Sequence, residues 1–145
     1  MEVTAITRNA RMSAFKGRPL CRACQGLKAS EALNVVAFSP KKAAEIIRKT
    51  ILSAVANARH NNGVKDAEQM TVKLCVLDES VRMRRYWPTA RGSAHPIARR
   101  MCHCKVVLTD VAIPKKSEAL KAKKARRKAV RAKAPAAAAA KKEAK

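Results

Sequence analysis

Three groups of residues in this chain could do chemistry by their type and spacing. Cys21-x-x-Cys24 and Cys102-His103-Cys104 set thiols and an imidazole near one another, the ligand types that zinc takes. His60, His95 and His103 could move protons. Arg82, Arg84, Arg85, Arg91, Arg99, Arg100 and Lys105 share a stretch, Ser80 to Thr109, that contains no carboxylate, and Tyr86 and Trp87 stand among them.

The first two groups fail on spacing. Cys21 and Cys24 fall in a helical pattern rather than a metal knuckle. Cys102 and Cys104 are two apart in a strand pattern, so they share a face while His103 points to the other. The N-terminus, MEVTAITRNARMSAFKG, lacks the continuous apolar core of a secretory signal. Five cysteines, an odd number, then read as reduced thiols packed as small apolar residues. No histidine has a carboxylate at motif spacing, and no nucleophile signature surrounds a serine or cysteine. His60 closes a helix, where a cation is welcome. No catalytic residue, metal or cofactor is expected, because no acid–base pair is visible.

The third group survives. Net charge is +23 over 145 residues, which points to nucleic acid or an anionic surface as partner. No apolar run approaches the ~20 residues that cross a bilayer, so no membrane partner is expected. Arginine suits phosphate because its planar fork pairs two oxygens at once. Tyr86 and Trp87 could stack on unpaired bases, and His95 sits near enough to touch the same RNA. Aromatics make up 3% of the chain, so any core must come from aliphatic residues and be small.

These residues need elements to hold them. Val3–Thr7 can form a short strand. A helical pattern runs from Ser13, a candidate N-cap, to Gly26, a candidate stop. Gly17 and Pro19 interrupt it, which predicts a start or a kink at Pro19. Ser30–Phe38 reads as a short helix with Leu33, Val36 and Ala37 on one side. Ser39 as N-cap and Pro40 as first helical residue predict a long helix over Lys41–His60, with Ile47, Ile51, Ala54, Val55 and Ala58 as its apolar stripe. Met70–Leu77 alternates as a strand, with Val72, Leu74 and Val76 predicted to share one face. Cys102, Cys104, Val106 and Leu108 do the same on a returning arm. The breakers Pro88, Gly92, Ser93 and Pro96 lie between the arms, making Asp78–Asp110 a hairpin.

A two-layer α+β body follows, with the long helix on a small antiparallel sheet. Past Ser80 and Met101 the apolar face ends, so the hairpin should project by about a dozen residues, or ~40 Å. It would fold fully only against a polyanion. From residue 115 to 145 the chain is nearly all Lys, Arg and Ala, with 13 cations against Glu118 and Glu143. With no apolar stripe to dock, this tail reads as disordered when free. The expected division is thus 1–114 as one domain and 115–145 as a basic tail.

In ARMSAFK, SEAL, KKAAEIIRKTILSAVANARHN and RMRRYWPTARGSAHPI leading to VVLTD, the chain resembles the bacterial-type large-subunit ribosomal protein twenty-two family over about residues 5–110. The resemblance implies three helices on a three-stranded antiparallel sheet, with a long hairpin that runs through large-subunit ribosomal RNA to the nascent-peptide tunnel wall. Arg82, Arg84, Arg85, Arg99 and Arg100 would hold phosphates along the arms. Arg91 and Gly92 would face the tunnel at the tip. Asn57, His60 and Asn61 would also contact RNA, as would Arg8, Arg11, Ser13 and Lys16. The tip departs from the family in having Ser93, Ala94, His95 and Pro96 where more basic residues usually stand.

The function expected is therefore a structural, non-enzymatic constituent of the large ribosomal subunit. Its partners would be ribosomal RNA, neighbouring ribosomal proteins and the nascent peptide. Its compartment would be the cytoplasm, with an organelle left open. Two competing readings make different predictions. A DNA-compacting protein acting through its Lys/Ala tail would lose binding when 115–145 is deleted, and a metal or redox regulator would show itself by metal analysis and thiol titration.

Overall fold

The computed structural model describes residues 1–111. The tail expected over 115–145 lies outside the described residues. Strand β1 (Glu2–Ala10) leads into helices α1 (Ala14–Cys24), α2 (Ala29–Ala37) and α3 (Lys42–Asn61); strands β2 (Thr71–Pro88) and β3 (Ala94–Thr109) follow. The sheet is antiparallel in the order β1-β3-β2. Three helices on a three-stranded sheet with a long β2–β3 hairpin is the α+β architecture expected.

The core lies between the helices and one face of the sheet. The stripe of α3 buries Ile47, Ile51, Ala54, Val55 and Ala58, as its spacing predicts, and adds Ala43, Ala44 and Thr50. Val3 and Ala5 of β1 meet it, together with Cys102, Cys104, Val106 and Leu108 of β3. Each large aliphatic side chain buried here contributes roughly 1.5–3 kcal/mol. Thr50 is satisfied inside the stripe, bonding the Ile46 carbonyl and the Thr7 hydroxyl, both at 2.8 Å.

Four expectations need correction. Helix α1 starts at Ala14 with Ser13 at its N-cap position, as expected of Ser13, so it does not begin at Pro19, which lies inside it. Gly17 is there because α1 presses close: a Cβ would lie 2.3 Å from Leu77 Cδ1 and 3.1 Å from Ala43 Cβ. Ala37 is exposed; Val36 is buried as expected, with Ala29 and Ala32 beside it in place of Ala37. Helix α3 begins at Lys42, so Ser39 and Pro40 form a connector. Proline drives the residue before it out of the helical region, and the Ser39 N–H instead closes α2 on the Val36 carbonyl at 3.2 Å.

The fourth concerns β2. Val72, Cys75 and Leu77 face the core, whereas Leu74 is exposed and Val76 half-buried. A bulge between Val72 and Leu74 sets two residues of β2 against one of β3. One extra residue switches every later side chain to the opposite face.

Candidate nucleic-acid interface

The hairpin leaves the body at a built neck. Beside it the register of β1 shifts between Thr7 and Ala10, and that of β2 shifts between Glu79 and Arg82. Asn9 sits in the first shift at φ 54°, a left-handed conformation that asparagine tolerates better than most residues. Its N–H donates to His103 Nδ1 at 3.2 Å, and the Ser80 hydroxyl bonds its Oδ1 at 2.7 Å. One residue thereby ties β1 to both hairpin strands. His103 does point away from the core, as expected, and this bond is where it goes.

Beyond the neck the two strands stay paired to the tip, from Arg82 opposite Arg100 to Pro88 opposite Ala94. Cross-strand partners share a face, which sorts the side chains. Arg85, Trp87, His95 and Arg99 stand on one face; Arg82, Arg84, Tyr86 and Arg100 stand on the other. Tyr86 is 77% exposed and Trp87 62%. Neither face is covered, and both carry arginine and an aromatic ring.

Charge pairing stops at the root. Glu79 takes Arg82 in an ion pair and lies 3.8 Å from Arg100. The hydrogen bond from Arg82, then the nearby guanidinium charges, hold its carboxyl below the usual range. Among the described residues, Arg84, Arg85, Arg91 and Arg99 have no carboxylate within ion-pair reach. Arg85 instead turns back to the Arg84 carbonyl at 2.7 Å.

The tip is a short turn, Ala90–Gly92, with Arg91 at φ 57° and Gly92 at φ 70°. Thr89 N–H donates to the Ser93 carbonyl at 2.8 Å, and the Ser93 hydroxyl bonds the Ala90 carbonyl at 2.9 Å. Ser93, where the resemblance leads one to expect a basic residue, thus serves the turn itself. Pro96, grouped with the turn formers, lies in β3 opposite Tyr86, where β1 no longer pairs with β3.

The structure gathers some of the expected residues and scatters others. Arg11 joins Arg85, Arg99 and Arg100 around a cavity of about 370 Å³ at the hairpin base. Arg11, Ser13 and Lys16 also line a second cavity, with Lys41 and Lys42. Arg8 is exposed on β1, and Lys105 is exposed on the strand between Ile6 and Val76. Asn57, His60 and Asn61 lie in the last turns of α3, nearly the length of a 20-residue helix (~30 Å) from Lys41 and Lys42. Asn57 also has a structural use, donating to the Thr4 carbonyl at 3.4 Å. Lys41 and Lys42 were missed by sequence reasoning. Their signal was position: two cations open a helix, at the end where the dipole favours anions.

All five cysteines are buried and free. Burial, followed by the charge of neighbouring thiols, pushes Cys24 up to about 12. Cys75 is raised too, through hydrogen bonds with Cys104 and Cys21 and through burial. Cys24 and Cys75 thus hold their protons, and it is the thiolate that attacks or binds metal; Cys104 moves the other way, lowered by its hydrogen bond with Cys75. Among the described residues no group of three or more His, Cys, Asp or Glu side chains is arranged to hold a metal ion. No helix among them is long and apolar enough to cross a membrane.

The model of the family described as ribosomal protein L22p/L17e matches residues 5–109. The chain belongs to that family. Among members of the L22p/L17e family, it is 49% identical over 110 residues to the large ribosomal subunit protein uL22 of Methylacidiphilum infernorum (isolate V4). It is 46% identical over 110 residues to the uL22 protein of Opitutus terrae (strain DSM 11246 / JCM 15787 / PB90-1). Each alignment covers 76% of this chain and 96% of the relative. The matched span ends at Thr109, where β3 ends, so the L22p/L17e resemblance includes the whole hairpin and leaves out the basic tail.

Proposed function

We propose that this protein is a structural constituent of the large ribosomal subunit that binds large-subunit ribosomal RNA through both faces of its hairpin. The observation that carries this reading is the set Arg84, Arg85, Arg91 and Arg99, exposed on the hairpin with, among the described residues, neither a core beneath it nor carboxylates within ion-pair reach. A ribbon of this kind repels itself in water. Phosphates packed against both faces relieve that repulsion, each released counterion adding to affinity. Tyr86 and Trp87, one per face, add stacking on unpaired bases.

The family resemblance supports the finer placement: the body among neighbouring ribosomal proteins, and the hairpin in the wall of the nascent-peptide tunnel with Arg91 and Gly92 at its tip. The role is positional and not catalytic, and the compartment is the cytoplasm. The tail over 115–145 would be a separate basic segment gripping surface RNA. Sucrose-gradient sedimentation of cell extract, blotted for this chain, tests the reading. The chain should travel with large subunits in low salt and leave them as salt rises; a chain that stays at the top of a low-salt gradient refutes it.

A further inference from the structure

We infer that the second basic cavity, between the start of α1 and the start of α3, is a pocket for one unpaired nucleotide of the RNA that the protein binds. The inference rests on the RNA-binding reading above and goes beyond it, from a charged surface to a particular seat. The cavity holds about 600 Å³, within the ~300–1,000 Å³ usual for small-molecule sites.

Its lining has two parts. Arg11, Lys16, Lys41 and Lys42 supply positive charge, and no carboxylate among the described residues lines it. The nearest acid in the first turn of α3, Glu45, is engaged by Lys49 at 2.8 Å. Met12, Pro19 and Phe15 supply apolar surface. Four cations around apolar walls are ill-suited to a hydrophobic peptide, and a simple anion leaves the walls unused. A nucleotide satisfies both, its phosphate taking the cations and its base the ring.

Phe15 is set up for that contact. It is 58% exposed. The Arg18 guanidinium lies over its ring at 4.3 Å from the centroid. A cation on one face draws on the ring's negative quadrupole, and Phe15 still has exposed ring surface for a base. The cavity also shares Arg11 with the recess at the hairpin base, so one strand of RNA can meet both through that arginine.

Ultraviolet cross-linking of assembled large subunits, read by peptide mass spectrometry, tests this with an internal reference. Nucleotide adducts are expected on the peptide carrying Phe15 and on the one carrying Trp87. Adducts at Trp87 without any at Phe15 overturn the pocket and leave the RNA reading standing; adducts at neither overturn both. A lysine cross-link from Lys41 or Lys42 to another protein, with Phe15 free of nucleotide, assigns the cavity to a protein partner and also overturns it. Binding of the full chain to a stem carrying one bulged uridine, and to the same stem fully paired, supplies the second readout. Phe15→Leu should weaken binding to the bulged stem about 10-fold, as loss of one base–aromatic stack does, and leave the paired stem unchanged. Phe15→Tyr should restore it. Equal losses on the two stems, or none on either, overturn the inference.

Discussion

The body and the hairpin are made from the same two strands and obey opposite rules. In the body, Leu77 and Cys104 pair across β2 and β3 with their side chains under the helices, and some surface cations are answered locally, as Lys49 by Glu45 at 2.8 Å and Arg59 by Glu68 at 3.0 Å. Past Glu79 the strands bury nothing large, and among the described residues Arg84 on one face and Arg85 and Arg99 on the other have no ion-pair partner. The division falls at a register shift between Glu79 and Arg82, next to the Asn9 tie. A strand can thus be core floor at one end and polyanion ligand at the other, if a bulge marks where one job stops.

The sharpest way to break this contrast is to strip the hairpin alone. Converting Arg84, Arg85, Arg99 and Arg100 to alanine should lower affinity for ribosomal RNA by roughly two orders of magnitude or more and flatten its salt dependence by about three units of slope. Thermal melting of the free body should barely move. If the melt falls as well, the arms belong to the fold itself.

The reverse experiment damages the core and spares the arms. Ile51 is fully buried in the α3 stripe, and Ile51→Ala should cost about 2–5 kcal/mol in urea unfolding. RNA affinity of the fraction that stays folded should be unchanged. A smaller loss is expected for Gly17→Ala, which gains helix propensity but pushes a methyl against Leu77 and Ala43; overpacking should leave it about 1–3 kcal/mol less stable.

The smallest effect lies at the boundary. Glu79→Gln removes the anion that competes for Arg82 and Arg100, and should strengthen RNA binding by up to about fivefold, the scale of a surface ion pair. It should also remove a pH dependence. Because Glu79 titrates below its ordinary 4.5 in the folded chain, its pairing stabilises the fold above that value and is lost as pH falls through the lowered one. Melting curves of the Glu79→Gln variant and of the parent chain, compared between about pH 6 and about pH 3, should show the parent losing this extra stability and the variant no such loss.

What the sequence disclosed follows from which signals are local. The α3 stripe was legible because Ile47, Ile51, Ala54 and Ala58 repeat at one helical period. The hairpin was legible from its charge. The face of β2 was not, since TVKLCVL alternates plausibly in either phase and nothing in it marks the bulge after Val72. The start of α3 was misread because Ser-Pro serves equally as a cap and as a connector. The meeting of Arg11 with Lys41 and Lys42 joins residues about thirty positions apart, a distance over which periodicity carries no information. The five thiols were legible as buried; the approach of Cys75 to Cys104 and Cys21 was not.

The strand order carries a consequence for how the molecule is born. β3, last of the three to be synthesised, occupies the middle of the sheet, and β1 and β2 each pair their backbones with it and not with one another. Until Thr109 has been added, its neighbours have nothing to zip against, and long-range pairing of this sort is slow to form. Arg82, Arg84 and Arg85 of β2 are therefore made before the strand that pairs with them, and until it arrives they stand open to any polyanion nearby.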